Sequence, residues 1–413
     1  MNSFRCLRVT VAVVAIVLAC ISPAFAKDKV IGRFDLKHGA NPQAELVADA
    51  KGNLFGVAPT GGANSCGVVF ELSPTSGGSW AETVIYSFKG GIGDGCSPST
   101  QLVFDSRGNL FGGTSTGGNN SGTIFELTPA GGAGWSEKTV YIFTGPSGQV
   151  MGPQLAIDSA GNLFGSLRYG GSSGFGTIFA VHPQGSTWTE ELLWQFNGPD
   201  GAYPLGGVLL DSEGNLFGTT WGGGAPYTRG TVFELSPKSG GAYSLQTIYN
   251  FPQDNDWGYP QAALAIDASG NLYGVSSSPP PPTPSATPVA FELSPVGNDW
   301  KIAILYTFAE WSARFSRVYG SPSGFTLDAA GNLYGVTNVG GTQCNLPGCG
   351  VVYELSPPTS GSQWSHKVLY QFEGAEDGSY PVGNVLLYNN QIYGTTEYGG
   401  GMYGYGTVFS VAP

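Results

Sequence analysis

One eight-residue segment governs what this chain can become. Asp49-Ala-Lys-Gly-Asn-Leu-Phe-Gly56 returns at 105–112, 158–165, 211–218, 267–274 and 328–335, and in degraded form at Tyr388-Asn-Asn-Gln-Ile-Tyr-Gly394. Its closing glycines follow one another at intervals of 56, 53, 53, 56, 61 and 59 residues. A fixed period of this kind commits a chain to a repeat architecture, because one unit alone cannot bury its apolar face and must stack on its neighbours.

Each unit holds four strand candidates. The first is an apolar stretch ending in the aspartate, such as Gln101-Leu-Val-Phe-Asp105. Asp-x-x-Gly then makes a tight turn, in which Asp caps the backbone with its side chain and Gly accepts positive φ. The second strand begins at Asn-Leu-Phe/Tyr-Gly and runs to a Gly-Gly loop, as at Gly61-Gly62 and Gly117-Gly118. The third is Thr123-Ile-Phe-Glu-Leu127 and its relatives, stopped by Ser/Thr-Pro. The fourth opens near an aromatic residue (Trp80, Trp135, Trp188, Tyr243, Trp300, Trp364) and closes on a segment like Ile85-Tyr-Ser-Phe88. β-branched and aromatic residues fill these segments, turn residues bound them, and no helical period appears. The expectation is an all-β chain: a seven-bladed β-propeller with four antiparallel strands per blade. Val30-Ile-Gly-Arg-Phe34 matches only a fourth strand, and Thr407-Val-Phe-Ser-Val411 only a third. The N-terminal strand therefore completes the last blade and closes the ring, which removes the free edges.

The Asp-x-x-Gly-Asn-Leu-Phe/Tyr-Gly, Gly-Gly and Gly-Thr-Val-Phe-Glu-Leu segments resemble the GloVer tandem-repeat family of exported bacterial proteins, over nearly all of the chain after residue 26. The turn segment is also similar to that of NHL-type propellers. The resemblance implies a propeller-like repeat fold and no defined activity. It also implies a C-terminal surface anchor in many members, whereas this sequence stops at Pro413, directly after its last strand.

Charged residues make up 11 % of the 413 and glycine accounts for 66, against roughly a quarter charged in ordinary globular chains. That composition suits short strands and tight turns and not disorder. A formal net charge of −12 argues against nucleic acid and anionic membrane surfaces as partners, since both select basic footprints. Arg5 and Arg8, the apolar run Val9–Cys20 and Ala24-Phe25-Ala26 form an export signal, so the domains read as a signal peptide over 1–26 and one propeller over 27–413. The alternative is a lipoprotein signal with Cys20 acylated, which Leu18 fits poorly. No later apolar run is long enough to span a bilayer, and the expected product is a secreted or periplasmic monomer. The four remaining cysteines suit an oxidising compartment. Three pairings exist, and spacing favours Cys344 with Cys349 and Cys66 with Cys96.

Residues that recur from blade to blade are expected to be structural: the six turn aspartates, the five strand-three glutamates, taken to hold neighbouring strands, and the tryptophans, taken to pack between outer strands. Function belongs where blades differ. The loop between strands two and three and the connection to the next blade share one face, the top face. Its connections carry Asp94-Gly-Cys-Ser-Pro98, Asp200-Gly-Ala-Tyr-Pro204, Asp256-Trp-Gly-Tyr-Pro260 and Asp377-Gly-Ser-Tyr-Pro381. These offer Asp94, Asp200, Asp256 and Asp377 as a ring of carboxylates at the channel mouth, with Tyr203, Trp257, Tyr259 and Tyr380 beside them. Such oxygens suit calcium, yet Asp-x-Asp-x-Asp-Gly is absent and Asp-Gly before Pro is an ordinary turn. No cofactor or metal ligand set is assigned. Unrepeated Arg168, Trp221, Arg229, Trp311, Arg314, Arg317 and Tyr319 also fall on this face. Rings beside guanidinium groups suit a sugar bearing a carboxylate. The expected function is an extracellular, non-catalytic binding propeller for carbohydrate or a surface protein. The alternative is a carbohydrate-active enzyme, a glycoside hydrolase or polysaccharide lyase, with Asp200 and Asp256 as first candidates. An acidic residue unique to one blade and deep in the channel would favour the enzyme.

Overall fold

A computed structural model describes the chain apart from residues 1–28, 119, 132–133, 146, 226–228, 254–256, 278–287, 309–321 and 345–347. Seven antiparallel sheets follow one another along the sequence and form the ring of a seven-bladed propeller. Blade four shows the pattern: Val208–Leu210, Leu216–Thr220, Thr231–Pro237 and Tyr243–Asn250 pair in sequence order from the channel outward. The last blade is Ser379–Tyr388, Gln391–Tyr398 and Thr407–Val411, with Lys29–Arg33 as its outer strand. Val30 pairs with Phe409 and Arg33 with Thr407, which is the expected closure.

The repeat segment has a local reason at each position. Asp49 Oδ1 accepts the backbone N–H groups of Lys51 and Asn53, both at 2.9 Å. Its Oδ2 accepts the Asn53 side-chain amide at 2.9 Å. Equivalent bonds recur at Asp105, Asp158, Asp211, Asp267 and Asp328. The closing glycine makes room for an aromatic ring on strand three, since a Cβ on Gly56 would lie 2.5 Å from the Phe70 ring.

The core lies between blades, in seven apolar clusters each shared by two neighbours. The recurring tryptophans serve these seams. Trp135 meets Phe55, on strand two of the preceding blade, edge-on at 5.8 Å. Trp80 meets Tyr393 at 6.0 Å across the ring closure. Their partners thus lie on strand two of the preceding blade, and the expected packing between outer strands is corrected. The strand-three glutamates bond mainly along their own strand, as where Ser73 Oγ donates to Glu71 at 2.8 Å. Glu354 also reaches the adjacent strand through Lys367 at 3.6 Å.

Top-face connections are stitched backward. The backbone N–H of Ser97 donates to Cys66 O at 2.8 Å, Tyr203 to Phe175 at 2.7 Å, Tyr259 to Arg229 at 2.6 Å and Tyr380 to Cys349 at 2.9 Å. Asn41 makes the same bond to Tyr405 at 2.8 Å, so ring closure repeats the internal joints. Disulfides join Cys66 to Cys96 and Cys344 to Cys349, as spacing suggested, and each includes a cysteine whose carbonyl receives one of these bonds.

Candidate functional site

The stitching bond has a conformational consequence. Tyr203, Tyr259 and Tyr380 sit in the left-handed region, with φ of 59°, 51° and 62°. That region is uncommon for residues other than glycine and costs roughly 1–3 kcal/mol each. On blades three to five, rings and guanidinium groups form a continuous belt. Arg168 lies over the Tyr169 ring, 5.0 Å from its centroid. Tyr169 meets Tyr203 at 5.7 Å, Tyr203 meets Trp221 at 6.3 Å, and Trp221 meets Tyr259 at 5.2 Å and 45°. Arg229 closes the far end, 6.0 Å from the Tyr259 centroid. Phe175 backs Tyr203 at 5.9 Å. Tyr169 is exposed and the other members are half-buried, so the belt is open to solvent while its rings hold each other in place. Arg168 Nε is buried with no hydrogen-bond acceptor, and among the described residues no carboxylate pairs with that side chain.

The remaining candidates lie elsewhere. Asp94 Oδ2 accepts from Tyr86 Oη at 2.9 Å and Lys89 N at 2.7 Å, and its Oδ1 from Gly95 N at 2.7 Å. Asp377 accepts Tyr370 Oη at 2.7 Å and two backbone N–H groups. Asp200 accepts Trp194 Nε1 at 3.0 Å and Asn197 N at 2.9 Å. Each carboxylate thus anchors its connection to the outer strand just before it, and these three do not converge at the channel mouth. Trp257 stacks parallel to Tyr249 at 6.3 Å, against the outer strand of blade four. Tyr380 pairs with Tyr398 at 5.9 Å on blade seven, apart from the belt. Asp256, Trp311, Arg314, Arg317 and Tyr319 lie outside the described residues.

A second feature lies on the axis. The inner strands enclose a cavity of about 230 Å³, lined by Glu45, Gln101, Gln154, Ala263, Gly324 and Asn384 among others. Glu45 keeps contact with channel solvent but is otherwise enclosed by protein. Burial pushes its carboxyl up to about 8, against a partly offsetting hydrogen bond with the Asn384 side chain. The sequence reading did not single out Glu45 or Phe175 as site residues. Aligning the repeats on their aspartate carries the signal for Glu45: the residue four places upstream varies from blade to blade and is acidic only there.

The profile of the Gloeobacter/Verrucomicrobia repeat matches residues 20–152 and 80–280. No curated protein matches the sequence. Among solved structures, the chain is similar to PorZ, a bacterial surface component of the type-IX secretion system of Porphyromonas gingivalis. The TM-score is 0.52 at 16 % identity, over 90 % of this chain and 46 % of that one. It is similar to the extracellular domain of a hybrid two-component system of B. thetaiotaomicron, with a TM-score of 0.57 at 12 % identity over 94 % and 43 %. An ancestral GH74 enzyme matches with a TM-score of 0.58 at 13 % identity over 91 % and 48 %. This chain spans under half the length of each, and likeness at such identity shows the fold alone.

Proposed function

Because the chain belongs to the Gloeobacter/Verrucomicrobia repeat family and folds as a closed propeller, we propose that it is an exported, non-catalytic binding propeller for an acidic glycan. The observation that carries this reading is the Arg168–Tyr169–Tyr203–Trp221–Tyr259–Arg229 belt. Sugar rings stack on aromatic faces, and guanidinium groups pair with a carboxylate through paired N–H donors. Contacts between the rings of Tyr169, Tyr203, Trp221 and Tyr259 order them before any ligand arrives, which lowers the ordering cost of binding. With a net charge of −12, long-range attraction of an anion is weak, and contacts at the belt dominate. Two disulfides and the family's export suit a protein working outside the cytoplasm. That one neighbour is a surface component and another an extracellular domain is consistent with such a setting.

The second reading, a carbohydrate-active enzyme, draws on Glu45, which is acidic in one blade only and has a raised pKa. Hydrolysis by a carboxyl pair needs a second carboxyl within roughly 5–10 Å, and Glu45 is the one ionisable group among the described residues lining the cavity. The test is a glycan array probed with residues 27–413, beside a turnover assay on the same polysaccharides. Retention of uronate-bearing glycans without product supports the binding reading. Product formation abolished by Glu45→Gln supports the enzyme. Retention of neutral glycans alone contradicts the role given to the arginines.

A further inference from the structure

The seven inner strands meet the axis in the same repeat register. Four residues before each turn position stand Glu45, Gln101, Gln154, Gly207, Ala263, Gly324 and Asn384. Blades seven, one, two and three are neighbours in the ring and carry the one carboxyl and all three carboxamides. Blades four, five and six carry only glycine or alanine. The small arc makes room for the polar one: a Cβ on Gly324 would lie 2.6 Å from Asn384 Oδ1, and one on Gly207 2.6 Å from the Gln154 Cβ. The axial cavity is therefore lopsided in chemistry, with the carboxyl and carboxamide groups on one arc and glycine or alanine on the other.

Two of its polar groups are short of partners. Gln154 Oε1 is buried and accepts no hydrogen bond. Glu45 faces no lysine or arginine among the lining residues, and its side-chain partner is the Asn384 amide. Enclosed carboxylates are ordinarily paired with a cation, because desolvation without one costs several kcal/mol. We propose that the axial cavity binds a small organic cation, whose primary ammonium or guanidinium group is held by the Glu45 carboxylate and the carboxamide oxygens of Gln101 and Gln154. A cavity of about 230 Å³ has room for roughly seven waters, which fits a short aliphatic amine better than a single ion. Calcium takes about 6–8 oxygen ligands at close range, and one carboxylate on a wide wall does not supply that set. The site is independent of the aromatic belt.

Proton linkage gives a distinguishing signature. Glu45 is the only titratable group lining the cavity among the described residues. Burial pushes its carboxyl up to about 8, so an ammonium group entering near neutrality displaces a proton. The experiment is isothermal titration of residues 27–413 with putrescine and agmatine, with 1,4-butanediol as the uncharged counterpart and calcium chloride as the metal arm. The parallel variant is Glu45→Gln, which the fold should accept because glutamine holds this position in blades two and three. The expected result is binding of an amine and not the diol, weakened at least about tenfold in Glu45→Gln. Near neutral pH it should release a proton, seen as heat that changes with the buffer's ionisation enthalpy. Absence of amine binding at millimolar concentration, equal binding of the diol, unchanged affinity in a Glu45→Gln variant of parental melting temperature, or calcium binding that Glu45→Gln abolishes would each overturn the proposal.

Discussion

Blade six contains a natural substitution whose effect can be worked from the structure. In the other six blades the aromatic ring over the strand-two glycine belongs to Phe70, Phe125, Phe179, Phe233, Phe291 or Phe409, and in blade six it belongs to Tyr353. Tyr353 is fully buried, and its hydroxyl has no hydrogen-bond partner. Phe308, Phe325 and His366 surround the ring at 5.5, 6.4 and 5.7 Å, and burial pushes the phenol far above its ordinary range. A desolvated, unpaired hydroxyl costs about 1–3 kcal/mol. Tyr353→Phe removes that oxygen and keeps every ring contact, so we expect stability to rise by about 1–2 kcal/mol after allowing for the small void left behind. At roughly 2.1 cal/mol/K of unfolding entropy per residue, a chain this long gains only about 1–2 °C. The sensitive assay is therefore a urea titration followed by tryptophan fluorescence, where the midpoint should rise with the slope unchanged. The reciprocal change, Phe291→Tyr, should destabilise by more than Tyr353→Phe gains, because the Phe291 ring end already lies 2.5 Å from where a Cβ on Gly274 would stand. A Tyr353→Phe variant that is neutral or less stable would show that the hydroxyl is satisfied and refute the reasoning.

Three further outcomes are expected. Deleting residues 27–36 removes Lys29–Arg33 from beside Thr407–Val411 and should lower the melting temperature clearly; an unchanged value would contradict this closure. The disulfides span sequence separations of 30 and 5, so loss of Cys66–Cys96 should cost about 3–4 kcal/mol and loss of Cys344–Cys349 about 2 kcal/mol. Denaturation of the paired serine variants checks this, and the reverse order would contradict it. Stability should fall as pH rises from about 4.5 to 8. Burial pushes Glu45 up to about 8; burial and then the charge of Asp35 push Glu82 up to about 7, so in that window the folded chain holds protons that the unfolded chain has released. At Asp105, Asp267 and Asp328 burial is outweighed by hydrogen bonds led by those from Asn109, Asn271 and Asn332, and the pKa falls. Their stabilisation is lost only in more acidic solution. Melting temperatures of the parent should decline across the window and those of Glu45→Gln/Glu82→Gln should decline less; a rise in the parent would reverse the assignment.

Much of the fold was legible because its determinants are local. Asp49 and Gly52 announce a turn, Gly56 a close approach, and Val30–Phe34 a strand without a blade. The seam partners were not legible: Trp135 recurs visibly, but only the ring geometry brings it to Phe55. The aspartates misled for a related reason. Asp94, Asp200 and Asp377 stand on the expected face, but Tyr86, Trp194 and Tyr370, 6 to 8 residues earlier, take their oxygens. Gly-Ala-Tyr-Pro reads as a turn without revealing that Tyr203 carries a positive φ or that its ring meets Tyr169 and Trp221. Glu45 sits just outside the repeated segment, where variation resembles drift until the blades are arranged in a circle.

The belt is the central claim, and paired substitutions on opposite faces test it most directly. Trp221→Ala removes the ring that joins Tyr203 to Tyr259. Arg107→Ala removes an exposed side chain at a turn on the far face, where it pairs with Asp105 at 3.3 Å. Against the uronate-bearing glycan retained most tightly by the parent, Trp221→Ala should weaken binding by about 2 kcal/mol, as truncation of a central aromatic anchor does at an interface, while Arg107→Ala binds as the parent does. Parental affinity in Trp221→Ala together with loss of binding in Arg107→Ala would place the ligand on the other side of the ring.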